Sequence, residues 1–343
     1  MNLKTLSEAL GLSQTTVSRA LNGYPEVSEA TRRRVQDAAV QFGYRPNSRA
    51  KGLATGRAML IGQFVPISQQ HEMVNPVFGD FVSGASQALS RHGYDILLTR
   101  VPGADEGNVY REFRARGAVD GVIIQAPEVN DPRIALLNEI RLPYVVHGRC
   151  TGIDAPFSWI DVNNTQAFRR ATEFLIQLGH RRIALINGLE RMDFAYRRRK
   201  GYHQAIEAAG LTPDPRMHAS DEMTEEFGYL ETRRMLALDT PPTAILCSSI
   251  LCAIGTRRAL QEAGLTMGRD VSVITHDDDL SYLRNGHEIP IFTATRSSVR
   301  VAGELLADAL IRLIAEPDHA PISRLLEAQL VVGASTGPAP HPA

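Results

Sequence analysis

The 343-residue chain lacks the features that mark several common classes of protein. Its three cysteines, Cys150, Cys247 and Cys252, form no C-x-x-C pair, so neither a disulfide framework nor a zinc site is expected. No run reaches the roughly 18 apolar residues of a membrane span, and no Gly-x-Gly-x-x-Gly or P-loop signature supports recognition of nucleotide phosphates. With no secretory leader either, we expect a soluble cytoplasmic protein that needs no cofactor and does not contact a membrane.

Charge is the first feature that indicates a partner. The whole chain is nearly neutral, with 37 basic and 38 acidic side chains. Residues 1–57, however, hold nine basic and four acidic side chains, whereas the remainder holds 28 and 34. This asymmetry predicts a phosphate-binding segment at one end and a self-contained acidic domain elsewhere.

Segment 2–21 has the pattern of a helix-turn-helix, in which the second helix lies in the major groove of DNA. We expect the first helix to begin at Thr5, where Glu8 completes a capping box. Gly11 permits the turn, and Ser13 is placed to cap the second helix. The predicted contacts to bases or phosphates are eight polar side chains in this segment or directly after it: Thr5, Ser13, Gln14, Thr15, Thr16, Ser18, Arg19 and Asn22.

A third helix is expected from the Ser28 cap through Phe42, with Val35, Ala38, Ala39 and Phe42 spaced to close a small core over the first two helices. Its other face carries Arg32, Arg33 and Arg34. These arginines either contact DNA or form a solvated face, and the sequence pattern does not distinguish between these two interpretations.

Four motifs carry a family resemblance: Thr16-Val-Ser-Arg-Ala-Leu-Asn22, Val27-Ser-x-x-Thr-Arg-x-x-Val35, Gly43-Tyr-Arg-Pro-Asn47 and Leu178-Gly-His-Arg-Arg-Ile183. With these motifs the entire chain resembles the lac repressor (LacI/GalR) family. The run Val145-Val-His-Gly-Arg149, Ser248-Ser249 and the basic run before Tyr202 are similar to the α-glucoside regulators of that family.

The resemblance implies a homodimer that places two headpieces on a pseudo-palindromic operator in double-stranded DNA, with a sugar or another small molecule setting its affinity. It also divides the chain into a headpiece (1–46), a hinge helix and linker (47–57) and a two-lobed core (58–335). Three prolines in the seven residues from Gly337 predict a disordered tail, 336–343. In the hinge, Asn47 and Arg49 would contact DNA, and Leu53 would enter the minor groove as an apolar wedge. The alternative for Leu53 is ordinary packing between domains.

From Met59 onward, apolar strands alternate with amphipathic helices, which predicts an α/β fold with parallel sheets. The strand candidates are 60–65, 96–100, 121–125, 144–147, 183–187, 244–248 and 271–275. The resemblance implies two lobes joined by crossovers near 159–162, 289–293 and 320–325. Ligands bind such sheets outside the carboxyl ends of their strands, so we expect a pocket between the lobes.

Polar and aromatic side chains near these strand ends are the candidate ligand contacts. Carboxylates and Arg forks suit a neutral polyol, and aromatic rings, Trp159 among them, could stack on a sugar or serve the core. The resemblance assigns the pocket arginine to Arg198 and the pocket aspartate to Asp277, and it places Ser249 where many relatives have an amide. The full set is Phe78, Arg149, Asp161, Phe194, Arg198, Ser249 and Asp277. Successive side chains in His276-Asp-Asp-Asp279 point different ways, so we expect no metal site there.

The sequence therefore predicts a transcriptional repressor that a sugar of the α-glucoside type releases from its operator. A regulator that needs a corepressor or a controlling protein is the alternative on the same fold. A sugar-binding or catalytic protein whose headpiece is incidental is disfavoured, because no nucleophile, base and orienting group form a recognisable set. We expect no enzymatic activity.

Overall fold

The computed structural model describes residues 2–21, 23–44, 56–66, 74–102 and 105–340. Its contacts divide the chain into two compact units, Met1–Met59 and Leu60–Ala343. The predicted DNA contacts Asn22, Asn47, Arg49 and Leu53 lie outside the described residues.

The first unit contains the three helices that the sequence predicts: α1 (Leu3–Leu10), α2 (Gln14–Leu21) and α3 (Glu29–Gln41). Apolar side chains at helical spacing close one small core, which contains Leu6, Leu10, Val17, Ala20, Val27, Val35, Ala38 and Ala39. Gly11, with φ 65°, ends α1 in the left-handed conformation that glycine adopts without strain.

Two details of the headpiece differ from expectation. Helix α1 begins at Leu3 rather than Thr5, because Asn2 caps it by accepting a hydrogen bond from the Thr5 amide at 2.9 Å. Phe42 is 45% exposed. It follows the last turn of α3 as the cap residue, and its ring does not close the core as predicted.

The second unit contains twelve strands and eight helices in its described part. The strands are β1 (Leu60–Pro66), β2 (Asp95–Val101), β3 (Gly121–Gln125), β4 (Tyr144–His147), β5 (Trp159–Val162), β6 (Ile183–Asn187), β7 (His218–Ser220), β8 (Ala244–Cys247), β9 (Ser272–Asp277), β10 (Thr293–Arg296), β11 (Ser323–Leu326) and β12 (Gln329–Val331). The helices are α4 (Pro76–Arg91), α5 (Glu106–Ala115), α6 (Pro132–Glu139), α7 (Asn164–Gln177), α8 (Asp193–Ala208), α9 (Glu225–Leu236), α10 (Ile250–Glu262) and α11 (Val299–Ala315).

These strands form two six-stranded sheets, one in each lobe. The first lobe has the order β11-β5-β4-β3-β1-β2 and is parallel throughout. The second has the order β12-β10-β9-β8-β6-β7, in which only β12 runs antiparallel to its neighbour. Strands β6, β8 and β9 are buried along their whole length, as expected for parallel strands covered on both faces. The predicted α/β architecture is confirmed.

The chain crosses between the lobes at 162–164, 296–299 and 326–329. Each crossover follows a strand that the sequence analysis did not predict, namely β5, β10 and β11. The crossovers that the resemblance implies near 159–162 and 320–325 adjoin those of the structure, whereas the one near 289–293 was placed before β10 instead of after it.

The predicted disordered tail from residue 336 is wrong for residues 336–340. The Ala339 amide donates to the Leu178 carbonyl at 2.8 Å, and the Gly337 amide donates to Ser272 Oγ at 3.1 Å. The Gly337 carbonyl oxygen lies 3.1 Å from Nε2 of the buried His180. These hydrogen bonds fix the segment, despite its prolines, against the second lobe. Residues 341–343 lie beyond the described part.

Helices α7 and α8 pack closely because α8 has a glycine at the contact. A Cβ at Gly201 would lie 2.9 Å from the Arg169 amide nitrogen and closer still to the Thr165 carbonyl oxygen. Since backbone atoms of a packed helix cannot move aside cheaply, the contact requires glycine.

Gly201→Ala is expected to lower the free energy of unfolding by about 2 kcal/mol or more, because its methyl group overpacks the α7–α8 contact. The matched control is Gly79→Ala in α4, where a Cβ meets nothing within 4 Å; it should raise stability by roughly 0.5–1 kcal/mol. Urea unfolding of both variants measures this. Equal effects would contradict the packing argument.

Candidate functional site

The exposed face of α2 is the candidate DNA-reading surface. Ser13 Oγ accepts a hydrogen bond from the Thr16 amide at 3.0 Å, so Ser13 caps α2 as predicted. With Val17 and Ala20 buried in the core, Gln14, Thr15 and Arg19 are exposed and Thr16 and Ser18 half-buried. Thr5 is exposed on α1, and its hydroxyl donates to Asn2 Oδ1 at 2.9 Å.

Two of the three α3 arginines stabilise the headpiece itself. Arg34 Nη2 donates to the Leu10 carbonyl at the end of α1, at 2.9 Å. Arg32 donates to the Tyr24 carbonyl at 3.0 Å and to Glu29 at 2.8 Å. Arg33 and Arg34 are both exposed, Arg33 at 75% of its side chain, whereas Arg32 is half-buried. Arg32 and Arg34 are therefore held by hydrogen bonds to backbone carbonyls of the three-helix unit, which neither sequence-based interpretation anticipated.

The second unit contains a cleft between its lobes, at the carboxyl ends of both sheets. The first lobe contributes Gln125 from β3, His147 from β4 and Asp161 from β5, and the second contributes Ser248 and Asp278 after β8 and β9. The cavity measures about 980 Å³, including the space open to solvent at its mouth.

Arg198 is the buried cation of the cleft, at 6% exposure on α8. Its Nε donates to Asn164 Oδ1 at 2.8 Å, and its Nη1 donates to the Ser248 carbonyl. Its Cζ lies 5.0 Å from the ring centroid of Phe194 and 5.1 Å from that of Phe168. Within the described residues Nη2 has no hydrogen-bond partner. Burial lowers the pKa of Arg198 to about 10, against the opposing effect of Asp278 and Asp161.

Asp161 is the acceptor on the first lobe. Burial raises its pKa, and the ion pair with Arg149 opposes that rise. Arg149 Nε donates to Asp161 Oδ2 at 2.8 Å, and the Arg149 guanidinium lies 5.4 Å from the Trp159 ring centroid. Asp161 lines the cleft, whereas Arg149, predicted as a ligand contact, does not. Arg149 instead lies outside the cleft and holds the Asp161 carboxylate in position through their ion pair.

Asp277 does not reach the cleft, contrary to the prediction. Its Oδ1 accepts a hydrogen bond from the Asp279 amide at 2.9 Å, and it lines a smaller depression with Arg284 and Arg296. The neighbouring Asp278 lines the cleft instead. The prediction failed because side chains at a strand end alternate between opposite sides, so a shift of one residue changes the face.

Asp278 is surrounded by groups that favour its charged form. Burial alone would raise its pKa, but His276, Arg198 and His147 outweigh this effect and the pKa lies below its ordinary value. His276 Nε2 lies 3.5 Å from Asp278 Oδ1, and His276 Nδ1 lies 3.0 Å from Thr295 Oγ1. The cleft thus contains a carboxylate from each lobe and one guanidinium.

Of the two phenylalanines predicted as ligand contacts, one lines the cleft and the other does not. Phe194 lines the cleft and Ser249 lines it too, capping α10 with a hydrogen bond from the Leu251 amide at 3.2 Å. Phe78 does not line the cleft; it is 4% exposed on the core side of α4, and its neighbour Val77 faces the cavity.

Several cleft residues were missed. Gln125 and His147 end predicted strands, so the strand-end rule could have found them. His276 directly follows the predicted strand 271–275 and has the same signal, whereas Asn164, Met192 and Met223 have none. His147 is stacked on Phe81 with ring centroids 4.7 Å apart, and burial lowers its pKa to about 4. It is therefore a neutral group in the cleft at neutral pH.

Comparison with known proteins agrees with this architecture. Residues 3–47 match the lacI family of bacterial regulatory proteins, and residues 172–336 match a periplasmic binding protein-like domain. The HTH-type transcriptional regulator AglR of Rhizobium meliloti (strain 1021) is 46% identical over 341 residues, covering 99% of this chain and 95% of AglR. The chain belongs to the lacI family of transcriptional regulators.

Two solved structures extend the likeness to nearly the whole chain. A complex of the transcriptional regulator CelR with cellobiose has a TM-score of 0.72 at 30% identity, covering 98% of this chain and 99% of CelR. The lac repressor dimer bound to operator and the anti-inducer ONPF has a TM-score of 0.78 at 25% identity, covering 98% and 99%. No helix in the described ranges is long and apolar enough to cross a membrane.

The depressed pKa of His147 predicts an acid-sensitive stability. In the unfolded chain the imidazole gains a proton near pH 6.5, whereas in the folded protein it does so only near pH 4. Its stabilising effect is therefore complete above pH 6.5 and is lost as pH falls towards 4.

Between pH 6.5 and pH 4 the free energy of unfolding of the wild type should fall by about 3 kcal/mol, and His147→Gln should not show this fall. The control is His287→Gln, at an exposed position, which should follow the wild type. Urea unfolding at a series of pH values provides the comparison. Parallel pH profiles for wild type and His147→Gln would show that His147 is not held neutral by burial.

Proposed function

We propose that this protein is a repressor whose affinity for an operator is controlled by a neutral sugar bound between the core lobes. The observation that carries the proposal is the joining of a buried guanidinium, Arg198, and two carboxylates, Asp161 and Asp278, in one cleft of a lacI-family chain. An α-glucoside is the proposed sugar class, on the resemblance stated above.

The charge of the cleft favours an uncharged ligand. Asp161 is paired with Arg149, Asp278 faces Arg198, and His147 is neutral at pH 7 because of its lowered pKa. A sugar phosphate or a carboxylic acid would need an additional cation. Hydroxyl groups can instead donate to the carboxylates and accept from Arg198, while the Phe194 ring covers an apolar face of the sugar.

For DNA we propose that a homodimer presents two headpieces to a pseudo-palindromic site, as the lac repressor dimer does with its operator. The exposed side chains Gln14, Thr15 and Arg19 would read base edges, because long polar groups at the start of a recognition helix reach the major groove. Thr5, Ser13, Thr16 and Ser18 would contact phosphates or bases beside them.

Coupling between sugar and operator would act through the angle between the lobes. At one side of the cleft the Thr151 amide of the first lobe donates to Asp193 of the second at 2.7 Å. At another, Ser281 after β9 donates to Asp80 of α4 through its amide at 2.6 Å and its hydroxyl at 2.7 Å. A sugar that favours a different lobe angle must break such contacts, and couplings of this kind are worth about 1–3 kcal/mol.

A gel-shift titration on the DNA upstream of the protein's own gene tests the proposal. A panel of α- and β-glucosides is added, and at least one α-glucoside should weaken operator binding roughly 5- to 150-fold. Arg198→Gln should bind operator normally yet lose the response. The control Arg233→Gln, an exposed arginine on α9, should keep it.

Other outcomes of the titration have definite meanings. Tighter operator binding in the presence of a sugar would replace induction with corepression. An operator complex that no sugar affects would overturn the proposed effector. If Arg198→Gln abolished DNA binding itself, Arg198 would have a structural role.

A further inference from the structure

Asn187 is a buried amide beside the cleft that the proposed function does not use. It is the last residue of β6 and is 0% exposed, and it does not line the cleft. Ser248 directly follows β8, the parallel neighbour of β6, and its amide donates to the Ile186 carbonyl at 2.9 Å. The strand pairing therefore places Asn187 next to Ser248, whose own carbonyl accepts a hydrogen bond from Arg198.

The Asn187 side chain is hydrogen-bonded at both ends. Its Oδ1 accepts from the Ser248 hydroxyl at 2.6 Å. Its Nδ2 donates to Glu190 Oε1 at 2.9 Å and to the Ala195 carbonyl at 3.0 Å. Ala195 lies on α8 one turn before Arg198. Asn187 thus contacts both the residue that accepts from Arg198 and the helical turn that carries Arg198.

Glu190 fixes the donor end of the Asn187 amide. Its Oε2 accepts from Arg199 Nη1, and its Oε1 lies 2.8 Å from His218 Nε2. Burial alone would raise the pKa of Glu190, but His218 and Asn187 outweigh this effect and the pKa lies below its ordinary value. Glu190 is therefore a carboxylate at neutral pH. A charged acceptor binds the Asn187 amide more strongly than a neutral one.

These hydrogen bonds give Arg198 one fixed orientation. Its Nε donates to Asn164 Oδ1 at 2.8 Å and its Nη1 donates to the Ser248 carbonyl. Because a guanidinium is planar, two held nitrogen atoms also fix the direction of the third. That third nitrogen, Nη2, has no hydrogen-bond partner within the described residues and is the donor that a bound hydroxyl would use. A donor that is already oriented loses little conformational entropy on binding.

We propose that Asn187 is a positioning residue for the effector site: with Glu190 it holds Ser248 and α8 so that Nη2 of Arg198 is oriented for the sugar before the sugar binds. The inference rests on the proposed function, since it takes a sugar as the occupant of the cleft. Asn187 acts through Ser248 and Arg198, and not through contact with the sugar. Sugar affinity therefore depends on a buried hydrogen-bond network that extends beyond the cleft.

Asn187→Leu tests the inference, because it keeps the size of the side chain and removes its hydrogen bonds. Calorimetry of the full chain with methyl α-glucoside and maltose should give affinities about tenfold below those of the wild type. In an Arg198→Lys background, which has no guanidinium to orient, the same substitution should change affinity less than about twofold. An equal loss in both backgrounds, or no loss in either, would overturn the inference.

The matched control is Thr232→Val. It also removes a buried side-chain hydrogen bond of the second lobe, from Thr232 on α9 to Thr256 on α10 at 2.9 Å. It should lower the free energy of unfolding and leave sugar affinity as in the wild type. A loss of affinity in this control equal to that of Asn187→Leu would show that the effect comes from general destabilisation.

Two substitutions of Glu190 provide a second test at a residue with a partly exposed side chain, where folding is at less risk. Glu190→Gln keeps an acceptor for the Asn187 amide and should retain most of the sugar affinity. Glu190→Ala removes the acceptor and should lower the affinity about threefold. Equal affinities for the two variants would remove Glu190 from the network.

Nitrogen-15 NMR of the Arg198 guanidinium gives a measurement that needs no sugar. Its signals are identified by their loss in Arg198→Lys. The hydrogen bond to Ser248 should slow rotation about the Cζ–Nε bond in the wild type, and Asn187→Leu should speed this rotation whereas Thr232→Val should not. Unchanged rotation in Asn187→Leu would overturn the inference. If no sugar bound the wild type, the proposed function would fail, and the rotation rate alone would decide whether Asn187 positions Arg198.

Discussion

The buried guanidinium of Arg198 is the interaction on which the effector domain depends. Removing a cation from water costs several kcal/mol unless hydrogen bonds and opposite charges compensate. Asn164 supplies one acceptor from the start of α7 and Ser248 another from the end of β8, while Asp161 and Asp278 supply charge. The first crossover, the centre of the second sheet and both walls of the cleft are thereby tied to one side chain.

The same arrangement links binding to the relation between the lobes. Asp161 belongs to the first lobe and Asp278 to the second. The affinity of a sugar that contacts both therefore depends on the distance between the lobes. Asp278 also lies three residues before Ser281, whose hydrogen bonds to Asp80 hold the second lobe against α4. A shift of Asp278 in the cleft can therefore reach this contact between the lobes through a few residues of backbone.

Sequence reasoning succeeded where one physical signal dominated. Helical spacing of Val35, Ala38 and Ala39 predicted the headpiece core, and continuous apolar runs predicted buried strands such as β6 and β8. It failed for β5 and β10, whose four residues include polar side chains and whose place in a sheet is set by distant partners.

The candidate site was also predicted only in part. Asp161, Phe194, Arg198 and Ser249 were predicted from strand ends and family motifs, and all line the cleft. Asp277 was wrong because it is the last residue of β9, where successive side chains point to opposite faces and a shift of one residue changes the face. Met223 and Asn164 reach the cleft through tertiary packing alone, so no local pattern marks them.

The central claim is that one equilibrium connects the cleft to the headpiece, and thermodynamic reciprocity tests it most directly. Sugar affinity should be measured by calorimetry with and without saturating operator, and operator affinity with and without saturating sugar. Both pairs must change by the same factor if the sites are coupled. A sugar affinity that operator leaves unchanged would contradict the account, however tightly the sugar binds.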